Sequence, residues 1–427
     1  MKLVRLTLLF VAVLFSETSV SRAALNTPPA LSARQFHFTA INPANISRPH
    51  ELISIDLKTI RAKYPSFNER AFIVSCEGAE VPSQLDDGNA DNPVHDILIL
   101  SSFAAQERKR FSVSWWSDTV MVHHYPKLTQ AVLGMKVDFK KVNGYYTGGR
   151  FVDVDSTTLP RDHFAHDALY RIEGPGWESD KIVYRYYLDS RNRNDIFGKK
   201  IDGLVLQKLG VHDLVSNSME SYTKMLDWGM DIFKVGESLG IGSIAMWHDS
   251  KPVTVSDVDS VKCYVAENGP MLSGIYTKYL GWKVGGEKSD LYSHLTISAG
   301  NRLTKVSLDL KGKPVDLCTG LAKHEDSDFM ESKPARSGWS YMALYGKQSL
   351  SGDDLGIAVF YRAADMLKLT EDSLSKIVVL HPTGGRLTYY FAAAWQDEPG
   401  GIRNEKEFRK YLEDTIVRLN NPIEISF

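Results

Sequence analysis

Cysteine is scarce in this chain of 427 residues: only Cys76, Cys263 and Cys318 occur, far apart. No Cys-x-x-Cys or Cys/His metal spacing surrounds them, so no disulfide framework is encoded. Three buried thiols are expected, although one pair could bridge in an oxidising compartment. A basic excess is missing as well. The 50 Lys and Arg face 52 Asp and Glu, a formal net charge of −2, which argues against a nucleic-acid binder. A local pocket of two or three cations could still hold an acidic small ligand. No stretch reaches the roughly 18 consecutive apolar residues of a membrane-spanning helix. A G-x-S-x-G elbow, a P-loop, an H-E-x-x-H motif and an internal repeat are also lacking.

What the N-terminus does contain reads as a leader. Lys2 and Arg5 precede an apolar run from Leu6 to Phe15, and Ser21-Arg22-Ala23 offers small residues at cleavage positions. That is the pattern of a secretory signal peptide over residues 1–23. With no Cys after the run, a lipoprotein anchor is not expected, and the mature chain should be periplasmic or secreted. Losing Lys2, Arg5, Arg22 and Glu17 would leave it near −4.

The roughly 400 remaining residues exceed one ordinary core, so two domains are expected. After a Pro-containing linker, short β-rich runs such as His50–Leu57, Asp96–Leu100 and Phe111–Trp115 suggest a small β-domain within residues 24–120. Residues 121–427 carry many more alternating runs, among them Ser260–Glu267, Ser289–Ile297, Leu355–Arg362 and Leu387–Trp395. Two helices are expected, Glu405–Leu419 by its apolar spacing and, more weakly, Ser218–Trp228. The fold class is therefore all-β: a small N-terminal β-domain, then a large antiparallel, supersandwich-like β-sandwich with few helices.

Residues 161–200 stand out. Their 40 positions hold eight Lys/Arg, seven Asp/Glu, two His and seven aromatics. Cores avoid charge and disordered segments avoid aromatics, so a segment rich in both suggests a lined cleft. Along Ile182–Asp189 side chains alternate. Val183, Arg185, Tyr187 and Asp189 share one face, joined by Arg191 if the strand stays regular; Tyr184, Tyr186 and Leu188 share the other. Arginine suits bidentate capture of a carboxylate or sulfate, and tyrosine suits proton donation. The competing reading is a surface ion pair between Arg185 and Asp189.

His163 and His166 are three residues apart, followed by Asp167 and Tyr170. A metal would need a third ligand such as His212, His248 or His324, so no metal or other cofactor is assigned. A single histidine acting as base, steered by Asp167 or Glu173, fits better. The Gly-rich run Trp228–Trp247 has Gly240 and Gly242 but not a dinucleotide fingerprint. It reads as a tight loop, with Trp228, Asp231 and Lys234 able to line a cleft. Lys323-His324-Glu325 follows an apparent strand, and His324 is a second candidate base or acid.

The stretch DHFAHDALYRIEGPGWESDKIVYRYYLD, with DWGMDIFKVGESLGIGSIAMW, resembles a bacterial family of exported proteins encoded among polysaccharide-degrading enzymes. One branch of that family is similar to the ulvan oligosaccharide dehydratase. The resemblance implies an acidic oligosaccharide as partner and β-elimination at a uronic acid, by a dehydratase or lyase. Such chemistry needs a neutralised carboxylate, a base and an acid. Arg185 and Arg191 suit the first role, His166 or His324 the second, and Tyr187 or the other histidine the third. Asp167, Tyr170, Trp177, Trp228 and Lys234 complete the expected substrate contacts. A glycoside hydrolase with a carboxylate pair and a non-catalytic glycan-binding protein, with Trp177, Trp228 and Tyr187 as stacking platforms, are the alternatives.

Overall fold

A computed structural model describes residues 33–86, 95–210, 220–333 and 336–427. The expected leader and His212 lie outside them. The chain is an antiparallel β-sandwich, as its alternation indicates. One layer is a nine-stranded sheet running, in spatial order, Ser156–Thr158, Ser260–Asn268, Leu272–Val284, Glu287–Ser298, Leu303–Lys311, Arg386–Trp395, Leu355–Arg362, Trp339–Gly346 and Ser327–Glu331. Its inner-facing side chains, such as Ile275, Leu291, Val306 and Phe391, join one large core.

Two five-stranded sheets form the opposing layer. One orders Gly229–Asp231, Asn194–Lys199, Val183–Tyr186, Gly176–Ser179 and Thr129–Val132. The other contains Ala245–His248, Leu317–Ala322 and Ser375–Leu380. Gly240 and Gly242 lie in the expected tight loop and allow close approach. Both have positive φ (53° and 65°), and a Cβ would strike the Asn194 carbonyl at 240 or the Phe391 ring at 242.

The small N-terminal unit pairs a five-stranded and a three-stranded sheet around Phe38, Ile55, Ile99 and Phe111. It is closed by the other end of the chain: Glu424–Ser426 adds to the edge of Arg34–Ile41. The unit is thus not contiguous in sequence, since edge pairing is blind to chain distance. The helix Glu405–Asn420 leads there. Asn404 caps it by accepting from the Glu407 amide, and Phe408 and Leu412 are buried. The Ser218–Trp228 expectation reduces, among the described residues, to one turn at Glu220–Thr223. Cys76, Cys263 and Cys318 are free, buried thiols. No described helix is long and apolar enough to cross a membrane.

Candidate functional site

The strand Val183–Tyr186 divides its side chains as alternation requires. Tyr184 and Tyr186 face the sandwich interior, where the Tyr186 hydroxyl lies 2.7 Å from that of Thr277. Val183 and Arg185 face the opposite way, toward Phe197, Leu206 and Tyr222. Pairing with Asn194–Lys199 puts Arg185 directly opposite Asp195. Arg185 donates from Nε (3.0 Å) and Nη2 (2.7 Å) to Asp195, and from Nη2 to Asp231 (2.8 Å). Its Nη1 lies 3.5 Å from Glu173. The expected role of Arg185 in gripping a ligand carboxylate is corrected here: the guanidinium is buried and already holds the protein's own carboxylates.

Tyr187 follows the strand and donates to Asp195 at 2.7 Å. Arg191 reaches the same cluster through a turn rather than a continued strand. Asp189 accepts from the Arg191 amide at 2.9 Å, Asn192 takes φ 46°, and the Arg191 guanidinium stacks 3.9 Å from the Tyr187 ring centroid. Arg191 also binds Glu173 (2.8 Å) and Asp189 (2.6 Å).

Two arginines are therefore surrounded by Glu173, Asp189, Asp195 and Asp231. The imbalance appears in the ionisation. Burial, then the neighbouring Asp195, pushes the Asp231 carboxyl up to about 8 against the pull of Arg185. Burial alone would lower the Arg185 guanidinium, but Tyr187, Asp195 and Asp231 outweigh it and hold it well above its usual range. Burial, reinforced by Asp195, raises the Tyr187 phenol, so its proton stays on.

The loop before this sheet supplies two His–carboxylate pairs. His163 Nδ1 donates to Asp167 at 2.6 Å, with side-chain exposures of 5% and 1%. Asp167 also accepts from the Leu169 amide (3.0 Å) and so fixes the loop. His166 Nδ1 lies 2.6 Å from Glu173, with exposures of 53% and 11%. The histidines thus serve separate carboxylates: Glu173, not Asp167, orients His166. His166, Ala168 and Glu173 have φ of 66°, 64° and 62°, sparsely populated for residues with a Cβ and concentrated at functional sites.

A cavity of about 610 Å³ adjoins the loop and the turn, lined by Arg161, His163, Asp189, Asn192 and, from another segment, Ser256 and Asp259. The Nε2 of His163 is buried and has no hydrogen-bond partner among the described residues. Leu159, Leu188, Val258 and Val261 share the wall with these polar groups, and such a mixed lining and volume suit a small ligand.

Several expected contacts fall elsewhere. Trp177 is wholly buried and donates its indole N–H to Thr304 at 2.9 Å, so it cannot stack on a ligand. Tyr170 is buried, its hydroxyl 3.1 Å from that of Thr157. Trp228 is half-buried at the edge of Phe197 (6.4 Å between ring centroids). Lys234 is exposed and belongs with His324, whose ring packs on Phe233. Burial, then the charge of Lys234, lowers the His324 pKa. His324 follows Leu317–Ala322 in the other five-stranded sheet, and among the described residues no bond links it to the Arg185 cluster. Asp231, expected to line a cleft, is instead buried against Arg185, while Asp195 and Tyr222, not singled out beforehand, gained their places through strand register and packing. Only the acid-rich sequence around them signalled a site. Among the described residues no group of three or more His, Cys, Asp or Glu is arranged to hold a metal ion.

Fold and site together define an antiparallel β-sandwich protein with a loop of two His–carboxylate pairs beside a cavity. Residues 41–425 match the family described as "Domain of unknown function (DUF4861)", and the chain belongs to that family. No curated protein matches it. Among solved structures it is similar to a protein in glycosyl hydrolase family 38 from Enterococcus faecalis, at 8% identity, 91% coverage of this chain, 47% of that one and TM-score 0.45. It is likewise similar to an alpha-mannosidase from Enterococcus faecalis V583, at 8% identity, 92% and 46% coverage and TM-score 0.45. The chain spans about half the length of these two structures.

Proposed function

We propose that this protein is an exported carbohydrate-active enzyme that cleaves a C–O bond of uronic-acid-containing oligosaccharides by β-elimination. The observation that carries the proposal is the His166–Glu173 pair: an imidazole held on one nitrogen by an anchored carboxylate, its ring half-exposed. That is the arrangement of a general base. In the proposed reaction His166 takes the C5 proton, the C5–H electrons form a C4=C5 double bond, and the C4–O bond breaks. The departing oxygen takes a proton. Tyr187 gives its hydrogen bond to Asp195, so the acid role passes to His163 as the imidazolium, which keeps its Nδ1 proton on Asp167 and gives the proton on its Nε2, unpartnered on the cavity wall. Arg161, exposed on the same wall, neutralises the uronate in place of Arg185. If the departing group is water, as for the ulvan oligosaccharide dehydratase that one branch of the resembled family is similar to, the enzyme is a dehydratase; if it is a sugar, a lyase.

A second reading is favoured by one observation: Asp189 and Asp259 line one cavity from different segments, which offers a carboxylate pair for hydrolysis. Incubation with uronic-acid oligosaccharides separates the two. Elimination gives the ultraviolet band of a 4,5-unsaturated uronate, with loss of water or chain cleavage by mass. Hydrolysis gives new reducing ends without the band. His166→Ala should lower turnover by about 10²–10⁴-fold while leaving substrate binding and the melting temperature unchanged. Full activity in that variant, or binding without any product from the wild type, would sink the proposal.

A further inference from the structure

The nine-stranded sheet has a second face, which the loop site does not use. Along Leu272–Val284, Thr277 and Tyr279 point inward, where they meet Tyr186 and Asn192. Tyr276 and Lys278 therefore point outward. On that outer face four adjacent strands bring eight side chains into two aligned rows. Tyr276, His294, Ser307 and Thr388 are cross-strand partners in one; Lys278, Tyr292, Asp309 and Arg386 are partners in the next. With strands about 4.8 Å apart, each row spans about 14 Å. Together with Lys311 and Leu308 the rows line a groove of about 690 Å³.

The composition of this groove differs from a plain solvated sheet face. Three cations, Lys278, Lys311 and Arg386, stand with one carboxylate in the lining, Asp309, which Lys311 already meets at 2.7 Å. Two tyrosines lie between the charges, and the Tyr276 ring meets the His294 imidazole edge-on at 6.0 Å. His294 is fixed from behind. Its Nε2 lies 2.9 Å from Glu267, whose side chain is 2% exposed and whose other oxygen is buried without a partner among the described residues. Gly274 makes room for that carboxylate: a Cβ there would come 2.4 Å from Glu267 Oε2. A buried acid holding a histidine at the groove floor is a built feature.

We infer that the outer face of the nine-stranded sheet is a second binding site, separate from the acid–base loop, which takes a linear oligosaccharide bearing carboxylate or sulfate groups. The tyrosine rings offer flat apolar faces for sugar rings, Ser307 and Thr388 offer hydroxyl partners, and the cations meet the acidic substituents. The choice of a saccharide rests on the function proposed above; the anionic character of the ligand rests on the groove alone.

The test is calorimetric titration of the full chain with polygalacturonate, dextran sulfate, neutral dextran and single-stranded DNA. Binding of at least one anionic polysaccharide, weakened by salt and absent for neutral dextran, is expected. The double variant Lys278→Ala/Arg386→Ala should raise its Kd at least tenfold. Lys311→Glu, at an exposed position, should act in the same direction with no effect on folding. Neutral dextran binding as well as the anionic polymers would overturn the inference. So would groove variants within twofold of the wild type, or tighter binding of DNA than of any polysaccharide. Anionic polymer bound in the groove without any unsaturated product would support the second site and remove the loop reaction.

Discussion

Two buried ionic groups sit on the same face of one strand, Asn194–Lys199, and they differ in balance. At its end Lys199 meets Glu178 at 3.1 Å, both side chains at 0% exposure, and also donates to the carbonyls of Ser179 and Gly203. Glu178 accepts from the Val205 and Leu206 amides and from Gln130. One cation faces one anion and their hydrogen bonds are filled. At its second residue, Asp195 shares Arg185 with Asp231, with Glu173 close by. There the acids outnumber the base, and one carboxyl responds by holding its proton. The comparison teaches that burial of charge is not itself the mark of a working site. Burial lowers the Lys199 pKa too, so the two groups differ in charge balance: only in the cluster does a carboxyl keep its proton.

Removing Arg185 should break the comparison most severely. Arg185→Met leaves Asp195 and Asp231 face to face without their cation, and a stability loss above about 4 kcal/mol is expected by urea denaturation. Lys199→Met comes next, at about 3–5 kcal/mol, since Glu178 loses its countercharge. Adding Glu178→Gln to Lys199→Met should recover part of that loss. Equal stabilities for the single and double variants would show that the pair is not coupled. The two histidines sharpen the contrast on a smaller scale. His163→Ala strips buried Asp167 of a partner and should cost about 1–3 kcal/mol, whereas His166→Ala at its half-exposed site should change stability by less than about 0.5 kcal/mol.

Asp231 gives a pH-dependent test of the same idea. Its carboxyl titrates near 3.8 when unfolded and is pushed up to about 8 when folded. The folded state therefore holds a proton that the unfolded state has released. The contribution of this group to stability is complete below about pH 4 and is lost progressively as pH rises to about 8. Asp231→Asn should flatten the melting temperature across that window relative to the wild type. Parallel curves for the two proteins would show that Asp231 is ionised in the fold. The smallest effect belongs to the exposed helix pair Lys410–Asp414, 2.7 Å apart. Lys410→Ala there should cost no more than about 0.5 kcal/mol, which sets the background for the buried groups.

Much of this molecule was legible as sequence because alternation is a property of the local backbone. Successive strand side chains point to opposite faces whatever else the chain does. The strand-rich pattern thus determined the β-sandwich class, and the order Val183-Tyr184-Arg185-Tyr186 alone separated an inward aromatic pair from an outward arginine. Apolar spacing likewise determined the C-terminal helix. The tertiary structure decided who meets whom. Arg185 lies 46 residues before Asp231, and only the pairing of three strands brings them together. That pairing also turned Arg185 from an expected ligand grip into an internal clamp. Trp177 became core because the opposing sheet covers it, and Glu424–Ser426 reached Arg34–Ile41 across nearly the whole chain. Register, layer packing and charge balance arise from contacts between distant segments, and no local pattern of residues carries that information.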